Sequence, residues 1–141
     1  MKSRHNHERS LQFDVVKYLR AVLPRDAVLF HVPNGGDMTE TARKTAGGLG
    51  EFPGASDLMI CWQGRLYCIE LKVRADPLYG IKRTTYQQPE QKAFQAAIVR
   101  AGGFYAVVRH TDEVMELLAH WGIPSRETAL LRAASSVRAM A

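Results

Sequence analysis

Apolar positions follow two different periods along this chain. Leu11, Val15, Leu19 and Val22 recur at helical spacing and Pro24 follows them, which predicts an amphipathic helix over residues 8–23. Residues 27–32 form a short apolar run, a predicted strand, and Pro33-Asn34-Gly35-Gly36 has the chemistry of a loop. Residues 37–45 suit a short helix or a mobile segment. Gly47, Gly48, Gly50 and Pro53-Gly54 then predict a flexible stretch that turns sharply into a strand. Two apolar runs, 58–62 and 65–71, flank Gln63-Gly64 and read as a hairpin. One face of that hairpin carries Leu58, Ile60, Trp62, Tyr67, Ile69 and Leu71. The other carries Met59, Cys61, Leu66 and Cys68 and ends in charged residues. Strands apolar on both faces are covered on both sides, so the pattern predicts a layered α/β fold. Residues 73–85 are irregular, broken by Pro77 and Gly80. Beyond them the periods predict a helix over 89–101, a strand over 104–109 and a helix over 112–120. A last helix over 125–141 has Leu130, Leu131, Ala134 and Val137 as its stripe. The strand-helix-strand order from 66 to 109 predicts a right-handed parallel crossover.

Length and charge narrow the picture. A chain of 141 residues is one domain and can bury a core without disulfide or metal staples. Its net charge of +5 favours a polyanionic partner, although charge says nothing about fold. The two cysteines, Cys61 and Cys68, sit diagonally on the hairpin, too far apart for an unstrained bridge. Both are expected to be buried thiols in a reducing compartment. The amino terminus lacks the apolar segment of a signal peptide, and no run is long enough to span a membrane. His5-Asn6-His7 spells a nuclease motif by letters only, since the hairpin-helix frame of that motif is absent.

The hairpin concentrates the chemistry. With Gln63-Gly64 as its loop, Leu66 opposes Cys61, Cys68 opposes Met59, and Glu70 opposes Asp57. Directly opposed residues hold their Cβ atoms roughly 4.5–5.5 Å apart. Two carboxylates that close repel unless a proton or a cation lies between them. Lys72 falls on the same face by period-two alternation. A three-residue loop would slip the register and disperse the cluster. The plainer reading is a salt bridge between Lys72 and one acid, which leaves Asp57 without a role. Glu8, one turn before Gln12 on the apolar side of the first helix, is either a first-turn acid favoured by the helix dipole or a group that reaches the site. Arg43 and Lys44 belong to a solvated loop or to a phosphate-gripping flap. Arg74, Lys82 and Arg83, interleaved with Tyr79 and Tyr86, belong to an exposed loop or contact a nucleic-acid strand. Gln91 is a surface amide or points toward Lys72.

Gly54-Ala55-Ser56-Asp57 followed by Ile69-Glu70-Leu71-Lys72 resembles the PD-(D/E)xK nuclease signature. With Glu8, His31-Val32-Pro33-Asn34-Gly35-Gly36 and Pro89-Glu90-Gln91 in this order, the chain more narrowly resembles the virus-type replication-repair nuclease domain, VRR-NUC, over residues 8–118. It departs at Ser56, where the family often has Pro, and in the long insert between Lys72 and Pro89. The resemblance implies a restriction-endonuclease-like core, a mixed central sheet flanked by helices on both faces. It implies a nuclease domain over residues 8–122 and an extension, helical or mobile, over 123–141. It implies Mg²⁺ or Mn²⁺ held by Glu8, Asp57, Glu70 and the carbonyl of Leu71. Asp57, Glu70, Lys72 and Gln91 would be catalytic. Lys72 would orient or deprotonate the attacking water, and Gln91 would hold that water or Lys72. Asn34, Arg43, Lys44, Arg74, Lys82 and Arg83 would contact the nucleic acid. The implied activity is a metal-dependent DNA endonuclease that cuts branched or junction DNA, leaves a 5′-phosphate, works as a homodimer and resides in the cytoplasm of a bacterial or phage-infected cell. Two other readings stand beside it. One is a non-catalytic nucleic-acid-binding module on the same fold; the other is a basic protein-interaction domain with a chance motif.

Overall fold

The fold is built outward from the hairpin. In the computed structural model, which describes residues 4–33, 39–73 and 87–140, β2 (Leu58–Trp62) and β3 (Arg65–Leu71) pair antiparallel. Met59 faces Cys68, Cys61 faces Leu66 and Trp62 faces Arg65, the register that a two-residue loop dictates. Both loop residues have positive φ, 48° at Gln63 and 73° at Gly64. Such a turn matches the twist of the strands, but a side chain at the first position strains it. Gln63→Asn, which tolerates that conformation better, should add about 0.5 kcal/mol and raise the melting temperature by about 2 °C in a thermal melt.

Two further strands complete a mixed sheet in the order β1-β2-β3-β4. β1 (Val28–His31) runs antiparallel to β2, and β4 (Phe104–Val108) runs parallel to β3, joined to it through α3 (Pro89–Arg100). β1 is an edge strand with most of its residues exposed.

The sheet is covered on both faces, each by a separate apolar cluster. On one face Leu58, Ile60, Tyr67, Ile69 and Leu71 pack under α1 (Arg4–Val22) and α4 (Asp112–His120), through Val15, Leu19, Val114 and Leu118. Tyr67 stacks on Phe104 at 4.7 Å between ring centroids and leans on Trp121 at 5.2 Å. On the other face Met59 and Cys68 pack with Ala55 and with Phe94 of α3. This is the layered α/β architecture expected from hairpin strands apolar on both sides, with the mixed sheet that the resemblance implied.

Several expectations are corrected. α1 begins at Arg4, earlier than the apolar stripe indicates, because helix propensity carries past the last buried position. α2 (Glu40–Gly48) runs straight through Gly47 and Gly48 instead of dissolving there. The Thr39 side chain accepts from Ala42 N at 3.1 Å and starts the helix, and carbonyls of its last turn are taken by the Leu49 N–H. Cys61 is exposed, whereas Cys68 is buried. Cys61 lies near the hairpin tip, and the α3-side cluster includes Cys68 but stops short of it.

After α4 the chain buries Ile123 and Ser125 and enters α5 (Arg126–Met140). Arg126 donates from Nη2 to the carbonyl of Arg20 at 2.6 Å, which fixes α5 to the end of α1. The expected irregular stretch from residue 74, with Arg74, Tyr79, Lys82, Arg83 and Tyr86, lies outside the described residues, as do Asn34 and the side chains of Leu130 and Leu131. Among the described residues no helix is long and apolar enough to cross a membrane.

Candidate active site

The ends of β1 and β3, the start of β2 and the first turn of α3 meet at one end of the sheet's central strands. Asp57 is the residue before β2, one step beyond the last pair, Leu58 with Ile69. Its Oδ2 accepts a hydrogen bond from the backbone N–H of Leu71 at 2.8 Å, across the two strands. Glu70 and Lys72 share the α3-facing side of β3. Lys72 Nζ stands 3.5 Å from Glu70 Oε1, and its own backbone N–H donates to Val108 O.

Gln91 ties this pair to α3. Its Oε1 accepts from Lys72 Nζ at 3.0 Å and from the backbone N–H of Gln88 at 3.1 Å. Its Nε2 donates to Glu70 Oε1 at 2.6 Å. Two donors on one side and a carboxylate on the other leave the amide a single orientation. Pro89 opens the helix at a position where a missing N–H costs nothing. Gln91 therefore enters the site from a rigid first turn rather than from a loop.

Behind Asp57 stands His31, at the end of β1. Its Nδ1 lies 2.7 Å from the Asp57 carbonyl and 3.1 Å from Gln12 Nε2. One nitrogen cannot donate to the first and accept from the second. The shorter contact requires the proton on Nδ1, so His31 donates to Asp57, and the Gln12 amide is better turned with its oxygen toward the ring. Sequence reasoning placed Gln12 only as a neighbour of Glu8 and assigned His31 no role. Ser56, a departure from the family pattern, is fully buried, and its hydroxyl lies 3.4 Å from Leu58 O.

The carboxylates are under electrostatic strain. Burial, then repulsion from Asp57, pushes Glu70 from an ordinary 4.5 up to about 7, against the pull of Lys72. Asp57 is raised too, by burial first; the Leu71 hydrogen bond, Lys72 and His31 hold it down. Glu8 adds repulsion to both, which puts it within electrostatic reach of the pair. Tyr105 is raised by burial and then by Glu70, with Gln87 donating to its hydroxyl at 3.1 Å. Glu70 Oε2 is buried without a hydrogen-bond partner among the described residues.

An acid raised on folding holds its proton more tightly in the folded state, so stability falls as pH rises. For Glu70 the loss runs from pH 4.5 to about 7 in metal-free protein, by up to about 3 kcal/mol, and Asp57 adds in the same direction. Thermal melts in a chelator should show the melting temperature falling across that window, and Glu70→Gln should flatten most of the fall.

The donor chemistry fits a hard divalent cation. Two raised carboxylates and a buried orphan oxygen are what such an ion relieves, and oxygen ligands suit Mg²⁺ or Mn²⁺. Among the described residues no group of three or more His, Cys, Asp or Glu is placed to hold an ion. Of the candidate ligands, Asp57 and Glu70 lie close enough to repel each other, and Glu8 adds repulsion to both. Arg43 and Lys44 are exposed on α2, and Lys44 pairs with Glu40 at 3.4 Å in the same helix.

This fold has solved counterparts. A structure described as a VRR_NUC domain protein superimposes with a TM-score of 0.60 at 20% identity, covering 85% of this chain and 89% of its own. A second, described as a VRR_NUC domain, gives 0.53 at 17% identity, covering 82% of this chain and 97% of its own. The chain therefore has the fold of VRR-NUC domain structures, a restriction-endonuclease-like α/β fold, over most of its length. No family model matches the sequence. No curated protein matches it either.

Proposed function

We propose that this chain is a VRR-NUC nuclease that hydrolyses phosphodiester bonds in DNA with a divalent metal ion. The observation that carries the reading is the buried, unpartnered oxygen of Glu70 beside Asp57, with Lys72 fixed next to it by Gln91. A structural salt bridge would have satisfied that carboxylate; this arrangement leaves it frustrated.

Mg²⁺ or Mn²⁺, held by Asp57 and Glu70 with Glu8 and the Leu71 carbonyl in support, would supply a water of lowered pKa and a Lewis-acid contact to the phosphate. The chain's own groups do the rest. Lys72 presents its ammonium to the phosphate or to the attacking water and offsets charge that builds in the transition state. Gln91 holds that ammonium in place and keeps Glu70 from rotating away. The Leu71 N–H fixes one oxygen of Asp57 and leaves the other free to bind. His31 holds the Asp57 backbone from behind. Asn34, Arg43, Lys44, Arg74, Lys82 and Arg83 contact the DNA backbone, consistent with a net charge of +5.

The substrate is branched DNA, cut by a homodimer because a symmetric junction presents two equivalent strands, with a 5′-phosphate left on the product. The enzyme works in the cytoplasm. Incubating native protein with labelled branched and linear DNA in Mg²⁺, Mn²⁺ or chelator tests the reading. Branched DNA should be cut only with metal, and Asp57→Ala should not cut. Absent cleavage by native protein, or equal cleavage by the variant, overturns it.

A further inference from the structure

Outside the acidic cluster, α1 and the end of β1 enclose a groove of about 370 Å³ lined by Arg9, Gln12, Phe13, Val16, Arg20 and His31. The helical residues recur at three- and four-residue steps, so they form one stripe along α1. Arg9 and Arg20 are eleven positions apart, about 16 Å along the axis at helical rise. Between them Phe13 is 67% exposed, an unusual state for a phenyl ring on a helix that buries Val15 and Leu19 on its other side. Among the described residues no carboxylate lines the groove and neither guanidinium is ion-paired. His31 closes one end, and it is the residue that holds Asp57.

We propose that this groove binds an unpaired stretch of the DNA strand adjoining the scissile bond, with a base stacked on Phe13 and phosphates paired to Arg9 and Arg20. The inference rests on the nuclease reading and deepens it by naming a single-stranded segment as part of the substrate. The chemistry selects this occupant. A cation-aromatic-cation row along an apolar floor takes a chain of alternating anions and flat apolar faces. In a duplex those faces are already stacked on one another, so paired DNA could use the arginines but not Phe13. Continuity through His31 to Asp57 sets the groove beside the cut rather than at a remote surface. Arg43 and Lys44 are not among its lining residues; exposure of Phe13, visible only in the fold, marks the groove.

Binding measured by fluorescence anisotropy in chelator tests this without requiring cleavage. The probes are a single-stranded oligonucleotide, a blunt duplex and a duplex with a single-stranded flap. Phe13→Ala should weaken single-strand and flap binding about tenfold and leave the blunt duplex unchanged, whereas Phe13→Trp should bind as native. Arg9→Gln and Arg20→Gln should each reduce the salt dependence of single-strand affinity by roughly 0.7 in log–log slope. All three positions are surface sites, so melting temperatures should stay near native. Unchanged single-strand affinity in Phe13→Ala and both arginine variants overturns the proposal. So does conversion of a dimer to a monomer by Phe13→Ala in sedimentation, which would make the groove an interface between copies. Native protein that binds flaps through these residues yet never cuts with Mg²⁺ or Mn²⁺ removes the nuclease reading and leaves the groove standing.

Discussion

Replacing Lys72 with Met should lower DNA cleavage by about 100- to 1,000-fold, the usual cost of losing one preorganised group that meets transition-state charge. Methionine keeps most of the length and all of the apolar stem, so packing around this largely buried side chain survives. Loss of the ammonium has a second effect. Lys72 is the charge that opposes the upward shift of Glu70 and one of those that restrain Asp57. Without it Glu70 climbs above about 7, and at neutral pH it carries a proton more often than not. A protonated carboxyl leaves no uncompensated ion in the interior, so the variant remains folded. The same proton competes with metal, so half-maximal cleavage should require more Mg²⁺. Raising the pH to 8.5 should restore the metal requirement toward native, because the proton leaves. It should not restore the rate at saturating metal, because the ammonium is still missing. Single-turnover rates on labelled branched DNA, across metal concentration and pH, separate the two effects. A native rate at saturating metal would reduce Lys72 to a salt-bridge partner of Glu70.

What could be read from the sequence was what local geometry decides. Gln63-Gly64 sets a two-residue loop, the loop sets the register, and the register puts Asp57 across from Glu70 with Lys72 beside it. The apolar character of both hairpin faces anticipated the two clusters on either side of the sheet. Features that depend on how far one element reaches over another were not legible. Cys61 is as apolar in sequence as Cys68, and only the extent of the α3-side cluster separates the exposed thiol from the buried one. The His31 contacts join residues 19 and 26 positions apart, which no local pattern announces. Gln91 was ambiguous from its own surroundings, because an amide in a first turn serves solvent as well as it serves a site. Its three hydrogen bonds come from β3 and from the residue before α3, and only the tertiary fold brings those together. Arg9, Phe13 and Arg20 lie off the apolar stripe of α1, and nothing in their spacing says that β1 ends beside them.

Gly54→Ala should be the most damaging single-methyl change near the site, costing about 3 kcal/mol and roughly 10 °C in melting temperature. Two costs add. Gly54 has φ of +76°, a conformation that strains any residue with a Cβ. The added carbon would also meet the backbone of Glu90, and would lie 2.6 Å from Gln91 N. At Gly103 the closest obstacle is the Ile98 Cγ2 at 2.7 Å, a side-chain methyl that can turn aside. At Gly54 the obstacle is the first turn of α3, which cannot move without carrying its residues along. Those residues include Gln91, so the displacement pulls its amide away from both Lys72 and Glu70. Cleavage per folded molecule should therefore fall by about 100-fold, as it does when catalytic groups shift by about 1 Å. Gln91→Ala is the control, since it removes the same hydrogen bonds without pressing on the backbone. It should lose activity comparably but leave α3 seated, with Lys72 still paired to Glu70, so its melting temperature should fall less than that of Gly54→Ala. Chemical denaturation and single-turnover cleavage on both variants separate seating of the helix from loss of the amide. Gly54→Ala protein that melts and cuts as native would mean that α3 is seated by its apolar contacts alone, and that the close approach of Gly54 does not set the position of Gln91.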